Sequence, residues 1–198
     1  STFKGITAGD GVDSGKLDPS ATMGYVGLSW QKDESRGDYH VTTLTDYGEN
    51  VTMENALVYS DNIYFARAAL DIGAETFKEY FEKMGFGEDI PFELSLQQSS
   101  YDDDGNIDSE IQLADTGYGQ GQLLVNPVHM LSMYSMFVNG GNMVQPTLSW
   151  EEGYTAKIWK EQVISAETAD TVKNALIQVI ENPAGTGAAA KIDGVTML

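Results

Sequence analysis

The 198-residue sequence contains no cysteine. A disulfide framework and a thiolate metal site are therefore excluded, and the absence suits an extracytoplasmic bacterial protein. Histidine is nearly as scarce. His40 and His129 lie far apart, neither with a second histidine nearby, so an imidazole metal site or a histidine-based triad is not expected. Positive charge is also short: 11 Lys+Arg face 30 Asp+Glu, for a net charge of −19. A polyanion such as nucleic acid would be repelled, while a strongly hydrated surface is favoured. No apolar run reaches the ~18 residues that span a bilayer, and no signal-peptide pattern is present.

What remains is a globular composition, 41% hydrophobic and 21% charged, in a chain long enough for one well-cored domain. The pattern predicts a helix-rich α+β fold. A first helix covers Ser1–Ala8, with the glycine-rich stretch from Gly9 to Gly15 as its end. Weak strand character runs over 22–47, where Val26, Leu28 and Trp30 alternate, then Tyr39, Val41 and Thr43. The polar link from Gln31 to Asp38 reads as a loop between them. Thr52 can cap a short helix through Tyr59, and an apolar helix runs from Asn62 to Ile72. Gly73 and Gly85 bracket a third, with Phe77, Tyr80, Phe81 and Met84 on one face.

Residues 85–109 read as irregular and polar. Asn126 as N-cap and Pro127 at the first helical position start another helix, with Met130, Leu131, Tyr134, Phe137 and Val138 as its buried stripe and Gly140-Gly141 as its stop. Met130, Met133 and Met136 read as core packing. Short strands are predicted at 143–150 and 155–159. Ser165 caps a last helix that turns Ala169, Val172, Leu176, Val179 and Ile180 inward and ends at Asn182-Pro183. The acidic run from Asp102 to Asp108 falls short of a calcium loop. With Gly105 at the sixth position, Ser100 and Ile111 stand where Asp and Glu are needed, so a solvated turn is expected.

Two short motifs carry chemistry. Ser1-Thr2-Phe3-Lys4 places a hydroxyl and an amine three residues apart at a helix start. There the amine can reach the hydroxyl, and the helix dipole favours developing negative charge. Ser60-Asp61-Asn62 falls in the break between two helices. In a locally extended loop Ser60 and Asn62 point one way and Asp61 the other, offering a proton relay and an amide. Taken alone, the tripeptide reads first as a helix cap, with Ser60 or Asn62 capping the helix that follows. Tyr118 and Gln120, flanked by glycines, are candidates for lining a cleft, though a tight turn permitted by the glycines explains them equally well.

Ser-x-x-Lys followed by Ser-Asp-Asn is the motif pairing of serine β-lactamases and penicillin-binding proteins, which a Lys-Thr-Gly strand completes. The sequence resembles the transpeptidase domain of a class B penicillin-binding protein, most closely the low-affinity, methicillin-resistance type. The likeness extends through Trp30-Gln31-Lys32-Asp33, Ser60 to Arg67, Gly87-Glu88-Asp89-Ile90-Pro91 and Gly117-Tyr118-Gly119-Gln120-Gly121 to Val125-Asn126-Pro127. The resemblance implies a peptidoglycan D,D-transpeptidase on the outer face of a bacterial membrane, with an anchor upstream. Its partners would be stem peptides and β-lactams, and it would need no cofactor. Ser1 would be acylated and Lys4 would take its proton. Ser60 would relay a proton to the leaving group, and Asn62, with Tyr118 and Gln120, would bind substrate. The backbone N–H of Ser1 and one from the Lys-Thr-Gly strand would form the oxyanion hole.

That strand is not in the sequence; Gly185-Thr186-Gly187 has no lysine before it and falls in the loop after the last helix. Residues 1–198 are thus expected to be one partial domain, its central antiparallel sheet mostly missing and its activity nearly absent. Two alternatives stand beside this one. A β-lactam sensor or serine β-lactamase-like domain shares the motifs, although no Glu has Asn four positions later for deacylation. An N-terminal nucleophile using the amine of Ser1 leaves Ser60-Asp61-Asn62 unexplained.

Overall fold

The computed structural model describes residues 1–33 and 37–198. The middle of the expected Gln31–Asp38 loop, residues 34–36, lies outside them. Seven α-helices are described: α1 (Phe3–Asp13), α2 (Met53–Val58), α3 (Asn62–Ile72), α4 (Ala74–Met84), α5 (Glu110–Gly117), α6 (Pro127–Ser135) and α7 (Ala166–Glu181). Four short strands form two antiparallel pairs, β1 (Ser29–Trp30) with β2 (Val41–Thr42), and β3 (Met143–Val144) with β4 (Ile158–Lys160). The domain is the expected helix-rich α+β structure with little sheet.

The strands are shorter than the alternation suggests. Gly27, at φ +78°, breaks the first before Ser29 and leaves Val26 and Leu28 exposed. Pro146, which cannot donate to a ladder, follows β3 closely.

Helix α1 is the axis of the domain, packed against α3 on one side and α7 on the other. The prediction that it ends at Gly9 is wrong: it continues to Asp13, and every residue from Phe3 to Gly11 is buried. Its glycines create space. A Cβ on Gly5 would meet the Tyr134 hydroxyl at 2.8 Å, and one on Gly11 would meet Leu17 at 2.9 Å and Ile72 at 3.0 Å. Each glycine costs roughly 1 kcal/mol of helix propensity relative to alanine. Burial of Phe3 and Ile6 at roughly 1.5–3 kcal/mol per side chain offsets this.

Helices α2, α3 and α4 fall where their caps and glycines place them. Thr52 accepts from the Asn55 N–H, and Gly85 ends α4 in the left-handed region. Helix α5 was not anticipated, being eight residues long with little apolar character. It forms because Ser109 caps it and its end seats on α3, where a Cβ on Gly117 would collide with the Phe65 carbonyl and with Ala69.

The inward face of α6 is rotated from the predicted stripe. His129, Ser132 and Met133 point in, followed by Met136 and Phe137 of a 3₁₀ turn, while Leu131 and Val138 are exposed. The polar inward residues find partners, which makes their burial tolerable. His129 Nε2 donates to the Met84 carbonyl at 2.9 Å and Nδ1 faces Ser99 Oγ at 2.8 Å, while Ser132 Oγ donates to the Val144 carbonyl at 2.6 Å. Burial pulls the His129 pKa down, which keeps the ring neutral. Leu131 and Val138 instead wall an open apolar groove of ≈760 Å³, with Met130, Pro146 and Leu198. In α7, Ala169, Val172 and Leu176 are buried, with Val179 at the margin.

Two buried side chains are unpaired among the described residues, the Thr43 hydroxyl and a carboxyl group. Both carboxyl oxygens of Asp10, on α1, lack a hydrogen-bond partner among the described residues. Burial, aided by the charge of Asp13, raises its pKa well above the ordinary 3.8. The folded state then holds a proton that the unfolded state releases. Its contribution is therefore fully present below the unfolded pKa and lost as pH rises toward the folded one. Asp10→Asn, which cannot ionise, is expected to gain on wild type in Tm steadily as pH rises above about 4. A constant Tm difference between pH 4 and 9 would contradict this.

Candidate active site

The site forms where the start of α1 meets the break between α2 and α3. Asp61 makes that break. Buried at 5% exposure, its Oδ1 accepts from the N–H groups of Ile63 (2.8 Å) and Tyr64 (3.2 Å), capping α3, and its Oδ2 accepts from the Tyr47 hydroxyl at 2.6 Å. Such a cap is worth about 1 kcal/mol. The helix cap is thus the middle residue of Ser60-Asp61-Asn62, which leaves its neighbours free for the cleft. Ser60 pays for the sharp turn with φ +55°, a left-handed conformation costing roughly 1–3 kcal/mol in a non-glycine residue.

Lys4 projects from α1 into this turn and is 3% exposed. Its ammonium donates to Ser60 Oγ (2.7 Å), the Ser60 carbonyl (2.9 Å) and Asn62 Oδ1 (2.8 Å). Burial pushes its pKa down to about 8, while the Asp61 carboxylate opposes the shift. The expected hydrogen bond from the Lys4 amine to the Ser1 hydroxyl is absent among the described residues; the backbone N–H of Lys4 reaches Ser1 at its carbonyl, 3.4 Å away. Helical structure begins only at Phe3, so Ser1 lies outside the helix face that i to i+3 spacing assumes. Ser1 Oγ instead accepts from the Phe3 N–H at 3.3 Å, and the backbone nitrogen of Ser1 lies 3.5 Å from Ser60 Oγ. Ser60 Oγ therefore stands between Lys4 and Ser1. The amide of Asn62 is oriented from both ends, because its Nδ2 donates to the Thr42 carbonyl of β2 at 2.9 Å.

A cleft of ≈700 Å³ opens over these groups. Tyr39, Asp115, Tyr118 and Gln120 line its far side. The Tyr39 and Tyr118 hydroxyls both donate to Asp115 Oδ1, joining the loop before β2 to the end of α5. Both phenols are held protonated, with Tyr118 pushed up to about 12, first by burial and then by the Asp115 bond. Gln120 is exposed at the mouth. Gly119, between Tyr118 and Gln120, runs against Ser1 at φ +78°; a Cβ there would strike Ser1 Oγ and lie 2.9 Å from Phe3 Cβ.

The six residues singled out from sequence thus share one cleft. Sequence reasoning missed Thr42, Tyr39 and Asp115. No local pattern marks them, since they reach the cleft only through the β1–β2 pair and α5. It also set aside Thr186, which lines the same cleft.

Residues 1–197 match the family model described as the penicillin-binding protein transpeptidase domain. The chain belongs to that family. It is 42% identical over 197 residues to Penicillin-binding protein 3 of Bacillus subtilis (strain 168), covering 100% of this chain and 29% of that protein. It is 25% identical over 180 residues to a protein named peptidoglycan D,D-transpeptidase FtsI homolog of Mesostigma viride, covering 79% of this chain and 30% of that one. The chain therefore spans under a third of the length of these relatives. The fold matches a solved structure described as a peptidoglycan glycosyltransferase from Burkholderia ambifaria. The TM-score is 0.84 at 20% identity, over 98% of this chain and 59% of that one. Within this penicillin-binding protein fold, the central sheet is largely absent among the described residues. No described helix is long and apolar enough to cross a membrane.

Proposed function

We propose that this chain is the helical half of a peptidoglycan D,D-transpeptidase site, acylated at Ser1 by stem peptides ending in D-Ala-D-Ala and by β-lactams. The supporting observation is Lys4, buried and held by Ser60 and Asn62 beside Ser1. A lysine whose pKa falls to about 8 has an appreciable neutral fraction near neutrality and can act as a base. Ser1 Oγ bonds the penultimate D-alanine carbonyl carbon, and its proton passes to Lys4. The peptide bond to the terminal D-alanine then breaks, and a proton returned through Ser60 goes to the leaving amine. An acceptor amine attacks the ester in the second half-reaction and frees Ser1.

Asn62 binds the donor's backbone, with Tyr118 and Gln120 along the same wall. On this reading the full-length protein acts outside the cell membrane, on an anchor preceding these residues. Residues 1–198, as one partial domain without Lys-Thr-Gly, are inactive alone. The finer placement in the low-affinity, methicillin-resistance type rests on the residue likeness around Trp30, Ser60 and Gly119.

Labelled penicillin incubated with the full-length protein is expected to form an adduct that maps to Ser1. If Lys4 must be neutral to accept the proton, the acylation rate rises about tenfold per pH unit below about 8 and levels above it. A flat profile from pH 6 to 9 removes Lys4 as the base. An adduct without any peptide cross-linking would point to the sensor reading.

A further inference from the structure

A small second core lies beside the cleft. Val41 of β2, Ile63 and Ala66 of α3 and Ala114 of α5 are buried together, and Tyr39 and Tyr118 pack against them. The two phenols converge there, with their hydroxyls 3.5 Å apart, and both donate to Asp115 Oδ1. Packing of the apolar side chains requires neither hydroxyl. Yet Tyr39, Asp115 and Tyr118 all line the cleft that holds Lys4, Ser60 and Asn62.

Each phenol stands at the head of a segment that acts on the site. Tyr39 leads into β2, whose Thr42 carbonyl accepts from Asn62 Nδ2 at 2.9 Å. Tyr118 leads into Gly119, which runs against Ser1. The backbone of Asp115 makes its own tie to that second segment, its carbonyl accepting from the Gln120 N–H at 2.9 Å. One residue thus grips both the strand that orients Asn62 and the turn that abuts Ser1. Every bond of this strap lies between residues 39 and 120, away from both ends of the chain.

We infer that Asp115 is a positioning residue for acylation: by holding the Tyr39 and Tyr118 hydroxyls on one carboxylate, it fixes the spacing between Asn62, which binds the donor, and Ser1, which attacks it. This rests on the transpeptidase reading and adds to it a residue that touches no substrate. Hydrogen bonds to a carboxylate are roughly twice as strong as those between neutral groups. With both hydroxyls on one oxygen, neither segment shifts without straining the other. The spacing matters because a displacement of about 1 Å between reacting groups can cost about 10²-fold in rate.

The test follows single-turnover acylation by penicillin in wild-type, Asp115→Ala and Asp115→Asn full-length protein, separating the limiting rate from the half-saturating concentration. Ala removes the shared acceptor, and Asn keeps an oxygen that both hydroxyls can reach. Ala is expected to lower the limiting rate roughly 10- to 100-fold through Ser1 and to raise the half-saturating concentration roughly 3- to 10-fold through Asn62. Asn should bring both back to within about threefold of wild type. Tyr39→Phe cuts only the arm to β2, so it should raise the half-saturating concentration roughly 3- to 10-fold with the limiting rate within about twofold. Wild-type acylation in Ala at a lowered Tm would make the strap merely structural and overturn the assignment, as would an Asn variant impaired as much as Ala. Should Ala fail to fold, Tyr39→Phe decides, and wild-type kinetics there overturn the assignment. A wild-type protein that forms no penicillin adduct at Ser1 instead sinks the transpeptidase reading on which it rests.

Discussion

Replacing Ser1 by alanine is expected to abolish the penicillin adduct, and replacing Lys4 by alanine to slow acylation by about 10²–10⁴-fold. The two losses differ in kind. Ser1→Ala removes the atom that bonds the acyl group, so no residual covalent product forms at any time of incubation. Ser1 is exposed and lies outside α1, so the substitution should leave Tm unchanged. Lys4→Ala removes the base but leaves the hydroxyl. It also vacates a buried position at which Ser60 Oγ, the Ser60 carbonyl and Asn62 Oδ1 lose a shared donor. Thermal unfolding measured beside acylation separates a lost base from a collapsed loop. Label retained by Ser1→Ala would assign the nucleophile elsewhere, and unchanged acylation in Lys4→Ala would exclude it from the mechanism.

The second large effect is expected at Gly119, which touches no substrate in the proposed mechanism. Gly119→Ala places a methyl group against Ser1 Oγ and Phe3 Cβ on a backbone at φ +78°. The left-handed conformation costs the new residue roughly 1–2 kcal/mol. Relief of the clash must displace either Ser1 or the Tyr118–Gln120 segment. That segment is held by the Gln120 N–H to the Asp115 carbonyl at 2.9 Å and the Gly119 N–H to the Thr116 carbonyl at 3.0 Å. Phe3 is fixed in the core at 2% exposure, which leaves Ser1 as the movable side. A displacement of about 1 Å at a nucleophile can cost about 10²-fold in rate. Acylation should therefore fall about 10²-fold while Tm falls by only a few degrees, about 2–4 °C per kcal/mol at this size. Acylation at the wild-type rate would show that Gly119 does not set the position of Ser1.

How much of this was legible in sequence depended on whether the signal was local. Helix α3 was read to the residue because an apolar run ends at Gly73, and α4 because its four buried side chains repeat at helical spacing between two glycines. Helix α1 was cut short because Gly9 and Gly11 look like punctuation. Their role as gaps for Phe137, Leu17 and Ile72 exists only once distant segments pack. Helix α5 was missed for the same reason, as its stability comes from α3. The inward face of α6 was misjudged because His129 and Ser132 are polar, and their partners, Ser99, Met84 and Val144, are between 12 and 45 residues away.

At the site, motif spacing singled out Ser1, Lys4, Ser60 and Asn62, but it did not show that the lysine's hydrogen bonds run to Ser60 and Asn62 rather than to the Ser1 hydroxyl. A helical face was assumed to start at Ser1, and the chain turns helical two residues later. Asp61, read only as pointing away, is what fixes the turn.

The bonds that assemble the site span nearly the whole chain. Lys4 reaches Ser60 across 56 residues, the Tyr134 hydroxyl holds the Thr2 carbonyl across 132, and Asp13 holds the Ser165 N–H across 152. Contacts this distant in sequence form late, because each must first close a long loop. A nascent or damaged molecule can thus carry every helix and still lack Ser1 in its place beside Lys4 and Ser60. Covalent labelling then measures more than catalysis: the labelled fraction of a preparation counts the molecules in which α1 has met Ser60, Tyr134 and Ser165.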